Sequence, residues 1–284
     1  MKRLKPPPRV HYANLREVVL HADLNFPNTP FFFSSDPKMP SVTGAALRRY
    51  CGSFGVWAKG QGLMGAHIAL LGPNGAAWLS CFFAVISSGC VVVPLHLGTK
   101  AEELESCLRR SDSSLLLYDQ SCEKEAALLQ KAIPELRILE YHALLDALSE
   151  ISDESWPKLE PDAPAALYFT SGTTAQSRCV LLTHRNMGSH CSAAMSQLPL
   201  SPKDSGLSVL PPSHTFEIMT NIVGVLHCGG KMYINENLLT VKSNLKKYEP
   251  SILVVVPLVL QTIHRKSVCR LLCCSAPGFL LCHC

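Results

Sequence analysis

The chain has 284 residues, a formal net charge of +4 and 13 cysteines. A hydrophobic share of 47% with 17% charged residues is typical of a globular protein with a sizeable core, and it excludes an intrinsically disordered chain. The small net charge, with no long basic run, gives no indication of a nucleic-acid partner.

Helices and short apolar strands alternate along the first half of the chain. Residues 1–10 include three consecutive prolines and are predicted to be a loose arm, followed by a first α/β subdomain over 11–150. Hydrophobic spacing predicts helices over 12–23, 44–59, 76–86 and 123–131, a further helix opened by a Thr99–Glu102 capping box, and strands over 67–71, 90–93, 114–118 and 137–141. This alternation predicts an α/β fold with a doubly wound, mostly parallel sheet and flanking helices.

A polar segment divides the chain near its middle. Residues 151–164 are rich in Asp, Glu, Ser and Pro and are predicted to be a linker to a second α/β subdomain over 165–266. In that subdomain the pattern predicts strands over 165–169, 180–183, 207–210, 231–234 and 251–256, and helices over 184–198 and 240–248.

The most informative stretch is a hydroxyl-rich loop between two β-prone runs. Its residues are Thr170, Ser171, Gly172, Thr173 and Thr174, with Arg178 before the second run. The glycine lets backbone N–H groups approach an anion, the hydroxyls donate hydrogen bonds and the arginine adds positive charge. The pattern therefore predicts a phosphate-binding hairpin, with an ordinary hydroxyl-rich turn as the open alternative.

Two other phosphate-binding loops are excluded, because no Gly-Lys-Ser/Thr leads into a helix and no G-x-G-x-x-G follows a predicted strand. Residues 168–180 instead resemble the signature of the adenylate-forming enzymes, roughly Y-T-S-G-T-T-G-x-P-K-G-V followed by T-H-x-N. The chain keeps the hydroxyl half of that signature and the later Thr183, His184 and Asn186. It departs where the pattern has Gly, Pro, Lys and Gly, at Ala175, Ser177, Arg178 and Cys179.

The resemblance is to the N-terminal portion of an acyl-CoA synthetase-like ligase. It implies that ATP activates a small-molecule carboxylic acid, expected to be a fatty acid, as an acyl-adenylate that passes to coenzyme A, with Mg²⁺ as a further cofactor. It also implies that the loop from Thr170 to Thr174, together with Arg178, binds the ATP phosphates.

A second segment, Leu210 to His214, resembles the family's L-P-x-x-H motif at the acyl and adenylate pocket. The resemblance places His214 beside the substrate carboxylate as the catalytic candidate, and a simple helix cap is the alternative reading of this residue. Glu217 is not a clear match for the Asp with which the peptide-synthetase branch binds an amino group, which favours fatty or aryl acids.

The cysteines fall into two groups. Eight lie singly between Cys51 and Cys228 and are predicted to be reduced core thiols of a cytoplasmic protein, since no secretory segment precedes them. The other five lie in residues 267–284, which are predicted to be a non-native ending. Their spacing, C-x₃-C-C-x₇-C-x-C, does not match a metal site, so no metal ligands are predicted.

Two alternatives to an active ligase remain open. No Y-G-x-T-E segment, ribose-binding Asp or lysine-bearing C-terminal domain follows Lys266, so the resemblance predicts a truncated chain with impaired activity, or a non-catalytic fragment that binds nucleotide weakly. Residues 60–99 contain no Asp, Glu, Lys or Arg, and a membrane anchor over 76–95 is therefore the second alternative. The apolar run 76–86 is too short for a span, so no stable span is predicted, while peripheral association stays open.

Overall fold

The computed structural model describes residues 10–170, 178–235, 237, 239–257 and 260. A six-stranded sheet forms its centre. Its strands, numbered in chain order, lie side by side as Arg137–Glu140 (β6), Ser113–Tyr118 (β5), His67–Leu71 (β3), Val91–Pro94 (β4), Pro164–Thr170 (β7) and Arg178–Thr183 (β8). Neighbours from β6 to β7 are parallel, and β8 is antiparallel to β7. The prediction of a mostly parallel sheet is confirmed.

Helices cover both faces of this sheet. In chain order the helices are Leu15–Asn25 (α1), Gly44–Gly60 (α2), Ala76–Ser87 (α3), Ala101–Arg110 (α4), Glu123–Ala132 (α5), Tyr141–Ser149 (α6), His184–Met195 (α7), Val223–Cys228 (α8) and Val241–Tyr248 (α9). Helices α1, α2, α3 and α6 share one hydrophobic core with the sheet, and α4 and α5 share another on the opposite face. The sheet is therefore doubly wound, as predicted.

Four short strands lie outside the central sheet. Pro30–Phe31 (β1) pairs with Val42–Thr43 (β2), and Ser205–Ser208 (β9) pairs in parallel with Lys231–Ile234 (β10). The strand predicted over 251–256 is reduced to one bridge, from Ile252 to Gly206. A π-helical segment, Glu217–Ile222, leads directly into α8.

Of the two helix starts predicted from capping residues, one is confirmed and one is not. The Thr43 hydroxyl accepts a hydrogen bond from the N–H of Ala46 at 3.2 Å, which confirms the predicted start of α2. The predicted Thr99–Glu102 capping box is wrong, because α4 begins at Ala101 without a side-chain cap. The N–H of Thr99 instead donates to the carbonyl oxygen of His96, so this residue belongs to the preceding turn.

The segment predicted as a linker lies against helix α2. The N–H of Ser155 donates to the carbonyl oxygen of Gly52 at 3.0 Å, and Arg48 forms an ion pair of 2.6 Å with Glu154. After the segment, β7 pairs with β4, so strands from both sides of residues 151–164 belong to the same sheet. The division into subdomains over 11–150 and 165–266 stays a prediction, and the proposed arm and cysteine-rich tail lie almost entirely outside the described residues.

We expect Gly55→Ala to lower the free energy of unfolding by about 1–3 kcal/mol, because overpacking costs that much. A Cβ at this position would lie 2.3 Å from the backbone oxygen of Ser155, so the docked segment would have to move. Gly60→Ala in the same helix is the matched control, since no atom lies within 4 Å of its Cβ position. Urea unfolding of the two variants measures the difference, and equal midpoints would contradict the prediction.

The charge-free stretch 60–99 contains the buried helix α3 between strands β3 and β4. All 12 residues of α3 are buried, which confirms the predicted buried helix and explains its apolar composition. No described helix combines the length and the apolar character that crossing a membrane requires. The eight described cysteines are free thiols, and all except Cys179 are buried.

Candidate functional site

The two strands of the predicted hairpin are present, and its phosphate-binding role stays a prediction. Strands β7 and β8 pair antiparallel, and their register sets Thr170 directly opposite Arg178. Both residues are exposed, and the Thr170 hydroxyl lies 3.5 Å from the carbonyl oxygen of Arg178. The remaining predicted phosphate-binding residues lie outside the described residues: Ser171, Gly172, Thr173 and Thr174.

A second arginine lies beside the base of this hairpin. The guanidinium carbon of Arg110 is 5.3 Å from the centre of the Phe169 ring, one residue before Thr170. Cys179 replaces a glycine of the family signature, but it lies in regular strand pairing opposite Phe169 and does not adopt a positive φ. A Cβ is therefore compatible with the backbone at that position.

The T-H-x-N residues start helix α7. The N–H of Asn186 donates to the Thr183 hydroxyl at 3.2 Å, and the Asn186 side-chain oxygen accepts from the N–H of Thr183 at 3.1 Å. This reciprocal pair is a capping box. His184 is buried, and its burial, followed by the charge of Arg16, lowers its pKa to about 4, so the imidazole is neutral at physiological pH.

His214 lies in a turn after β9. Its N–H donates to the carbonyl oxygen of Pro211 at 2.9 Å, and its own carbonyl oxygen accepts from the N–H of Glu217 at 3.2 Å. The helical segment that follows has no side-chain cap, so the structure gives no support to the alternative of a simple helix cap. His214 is exposed to solvent.

A second histidine, His96, accompanies His214. Their ring centres are 6.1 Å apart, and the His96 Nδ1 atom lies 3.1 Å from the hydroxyl of Ser213. Desolvation, followed by the neighbouring His96, lowers the pKa of His214, which favours the neutral imidazole. His96 was not predicted as a site residue, although its place just after the end of strand β4 is a usual position for one.

Two cavities flank the segment that carries His214. One of about 170 Å³ lies against the carboxyl ends of β3 and β4 and is lined by Asn74, Trp78, Leu95, His96 and Pro211–Ser213 among others. The other, of about 240 Å³, lies between helix α7 and the π-helical segment and is lined by Leu182, Asn186, Met187, His190, Thr215, Phe216 and Met219. The carboxyl edge of a parallel sheet is where open α/β folds bind ligands.

The sequence analysis also missed the environment of Glu217. The residue has no exposed surface, and the Asn221 side chain donates to its Oε2 atom at 2.9 Å. Among the described residues, Oε1 has no partner of good hydrogen-bond geometry. Burial raises the pKa of this carboxyl to about 7, against the smaller opposing effects of Ser208, Asn221 and the Leu210 backbone. The available signal was a single acidic residue in a segment with no other charged side chain from Gly206 to Gly230.

The sheet with helices on both faces has the fold of solved N-terminal domains of adenylate-forming enzymes. The AMP-binding enzyme family model matches residues 21–276. The chain therefore belongs to the AMP-binding enzyme family.

The chain is similar in sequence to curated acid–CoA ligases and in fold to a solved structure. The chain is 31% identical over 215 residues to an oxalate–CoA ligase of Arabidopsis thaliana, covering 70% of this chain and 41% of that protein. It is 27% identical over 227 residues to long-chain-fatty-acid–CoA ligase 1 of Homo sapiens, covering 68% and 32%. The fold resembles the inhibitor-bound N-terminal domain of FACL13 from Mycobacterium tuberculosis, with a TM-score of 0.79, 20% identity and coverage of 94% and 69%. The chain thus spans less than half the length of these curated relatives.

Proposed function

We propose that this chain takes part in the ATP-dependent activation of a carboxylic acid as an acyl-adenylate, with coenzyme A as the acceptor. The observation that carries the proposal is the β7–β8 hairpin, whose register sets Thr170 opposite Arg178 at the carboxyl edge of the sheet. Membership of the AMP-binding enzyme family supports it, because relatives of this chain are acid–CoA ligases.

The hairpin suits the electrostatic problem of this reaction. A carboxylate that attacks the α-phosphate of ATP is repelled by it, since both groups are anions. Arg178 is exposed at the hairpin and offers a forked set of donors to the β- and γ-phosphates. Hydroxyls of Thr170, Ser171, Thr173 and Thr174 and the backbone at Gly172 complete the proposed phosphate site. Mg²⁺, when bound with ATP, supplies further positive charge.

His214 is proposed to orient the acid. A neutral imidazole has one N–H that can donate a hydrogen bond to a carboxylate, and the lowered pKa of His214 favours the neutral form. The cavity of about 240 Å³ next to it is lined mainly by apolar side chains, among them Leu182, Met187, Phe216 and Met219. We therefore propose an apolar acid, in the fatty class, as the substrate.

Acid-dependent exchange of radioactive pyrophosphate into ATP tests the proposal directly. The purified chain should catalyse exchange with at least one fatty acid in a series of increasing length, and exchange with oxalate should be weaker. Exchange with oxalate alone would contradict the assignment of an apolar acid. Absence of exchange with every acid, from a chain shown to be folded by circular dichroism, would contradict the ligase function.

A nucleotide-binding module without ligase activity is the second candidate function. The observation that favours it is the sequence of the loop, because Ala175 and Ser177 replace the glycine and proline of the family signature. ATP binding by isothermal titration calorimetry, together with absence of exchange, would select this candidate.

We propose a cytoplasmic location, with peripheral membrane association as a further possibility to be tested. Seven buried free thiols among the eight described cysteines support a reducing compartment. Fractionation of cells that express the full chain, before and after a carbonate wash, measures both.

A further inference from the structure

Four titratable side chains meet at the far side of the sheet from the hairpin. We call Asp36, Asp119, Glu140 and His142 the His142 cluster. Asp119 follows strand β5, Glu140 ends strand β6, His142 lies in the first turn of helix α6, and Asp36 comes from the loop between β1 and β2. From β5 to β7 there are three strand positions, about 14 Å, so the cluster is separate from the phosphate hairpin.

The side-chain atoms of this cluster converge on the imidazole. The His142 Nε2 atom lies 3.1 Å from Asp36 Oδ2 and 3.9 Å from Asp119 Oδ2. One potential ligand atom from each of Asp119, Glu140 and His142 lies within 4.8 Å of the other two. The His142 side chain is only 9% exposed, whereas those of Asp36 and Asp119 are 23% and 16% exposed, so the cluster is enclosed but reachable from solvent.

Backbone donors hold each carboxylate in place. Asp36 accepts from the N–H of Lys38 through Oδ1, and Asp119 accepts from the N–H of Ser121 through Oδ1, each at 2.9 Å. Both aspartates thereby turn Oδ2 toward His142. Glu140 accepts from the first amides of helix α6, which leaves a lone pair on each of its oxygens. Ligating carboxylates in metal sites are oriented by outer hydrogen bonds in the same way.

Gly72 makes the space that the cluster occupies. A Cβ at this residue would lie 2.9 Å from the Cβ of Asp119 and 2.9 Å from a ring carbon of Tyr141. Any other residue here, directly after β3, would require Asp119 or Tyr141 to move. The φ of Gly72 is not positive, so the Gly72-Pro73-Asn74 turn does not itself require a glycine. The close approach of Asp119 and Tyr141 explains the glycine instead.

We propose that the His142 cluster is a binding site for a divalent transition-metal ion, with Asp119, Glu140 and His142 as ligands and with Asp36, whose Oδ2 atom lies 3.1 Å from His142 Nε2, beside them. Two ligand atoms about 2.1 Å from one ion in tetrahedral geometry are about 3.4 Å apart. The 3.9 Å between His142 Nε2 and Asp119 Oδ2 is close to that value, and the Glu140 atom lies within 4.8 Å of both, so side-chain rotations would bring the three onto one ion. Imidazole with carboxylates suits Mn²⁺, Co²⁺ and Zn²⁺. An ion would also offset three carboxylates that face a single imidazole.

Manganese binding to the full chain, followed by electron paramagnetic resonance without nucleotide present, tests this site. Mn²⁺ is the suitable probe because the five cysteines of the tail favour softer ions such as Zn²⁺. We expect one tight Mn²⁺ site per chain, weakened at least about 10-fold in Asp119→Asn and in His142→Gln. We also expect bound Mn²⁺ to raise the melting temperature of the wild-type chain and not that of His142→Gln.

Asp162→Asn is the matched control, since it removes an exposed carboxylate that pairs with Arg185 far along the chain. It should bind Mn²⁺ as the wild type does. If Asp119→Asn does not fold, Asp36→Asn replaces it, because the Asp36 side chain is the more exposed of the two. Absence of Mn²⁺ binding, or equal affinity in the wild type and the cluster variants, would show that the cluster is a polar network without a metal ion and would overturn the proposal.

Discussion

Arg178→Ala is expected to reduce acid-dependent pyrophosphate exchange by about 10²–10³-fold, the usual effect of removing one preorganised electrostatic contact to a developing charge. Arg178 lies at the first residue of strand β8, opposite Thr170, so its position is fixed by the strand pairing that closes the hairpin. Arg178 is exposed, so its removal leaves no buried partner charge behind and should not destabilise the fold. The loss should therefore fall on nucleotide binding and chemistry, with the free energy of unfolding unchanged within about 0.5 kcal/mol.

Arg178→Lys should retain most of the exchange activity. The family signature has a lysine at this position, and a lysine keeps the positive charge while it loses the planar fork. The matched control is Arg185→Ala, which removes another exposed arginine seven residues along the chain. Its partner is the exposed Asp162, at 2.7 Å, and such solvent-exposed ion pairs contribute little to stability. Equal losses in Arg178→Ala and Arg185→Ala would show a general effect of surface charge and would contradict the assigned role.

Local sequence signals predicted the parts of the fold that depend on near neighbours. The strand over 67–71 and the strand over 231–234 have the predicted bounds, because short apolar runs bordered by turn residues specify a buried strand locally. Thr43 starts α2 as predicted, since a cap involves residues only three positions apart. The same signal at Thr99 gave a wrong prediction, because the N–H of Thr99 donates to the carbonyl oxygen of His96 in the preceding turn.

Contacts between distant parts of the chain were beyond the sequence analysis. Nothing in the local pattern joins Arg110 to Phe169, or His96 to His214, since the pairing of β4 with β7 and the position of the β9 turn bring them together. The His142 cluster shows the same limit. Asp36 and His142 are 106 positions apart, and no motif of fixed spacing links them. The residues around a site thus depend on tertiary contacts even where its central motif can be read directly.

Glu217→Gln is expected to make the chain more stable above pH 7 and to have little effect near pH 4. In the folded chain the carboxyl is fully buried, and its pKa rises from the ordinary 4.5 to about 7. Between these two values the unfolded chain has already lost the proton while the folded chain still holds it, so wild-type stability falls as pH rises through this window. The difference corresponds to about 3 kcal/mol at pH 8.

The amide of glutamine reproduces the protonated carboxyl that the fold prefers. It can still accept from the Asn221 side chain, which donates to Glu217 Oε2 at 2.9 Å, and its NH₂ group takes the place of the acidic O–H. Urea unfolding of wild type and variant at pH 5 and pH 8 gives the two differences to compare. Glu135→Gln, at an exposed position, is the control and should stay within about 0.5 kcal/mol of the wild type at both pH values. A Glu217→Gln chain whose stability changes with pH as steeply as that of the wild type would show that Glu217 does not retain its proton on folding.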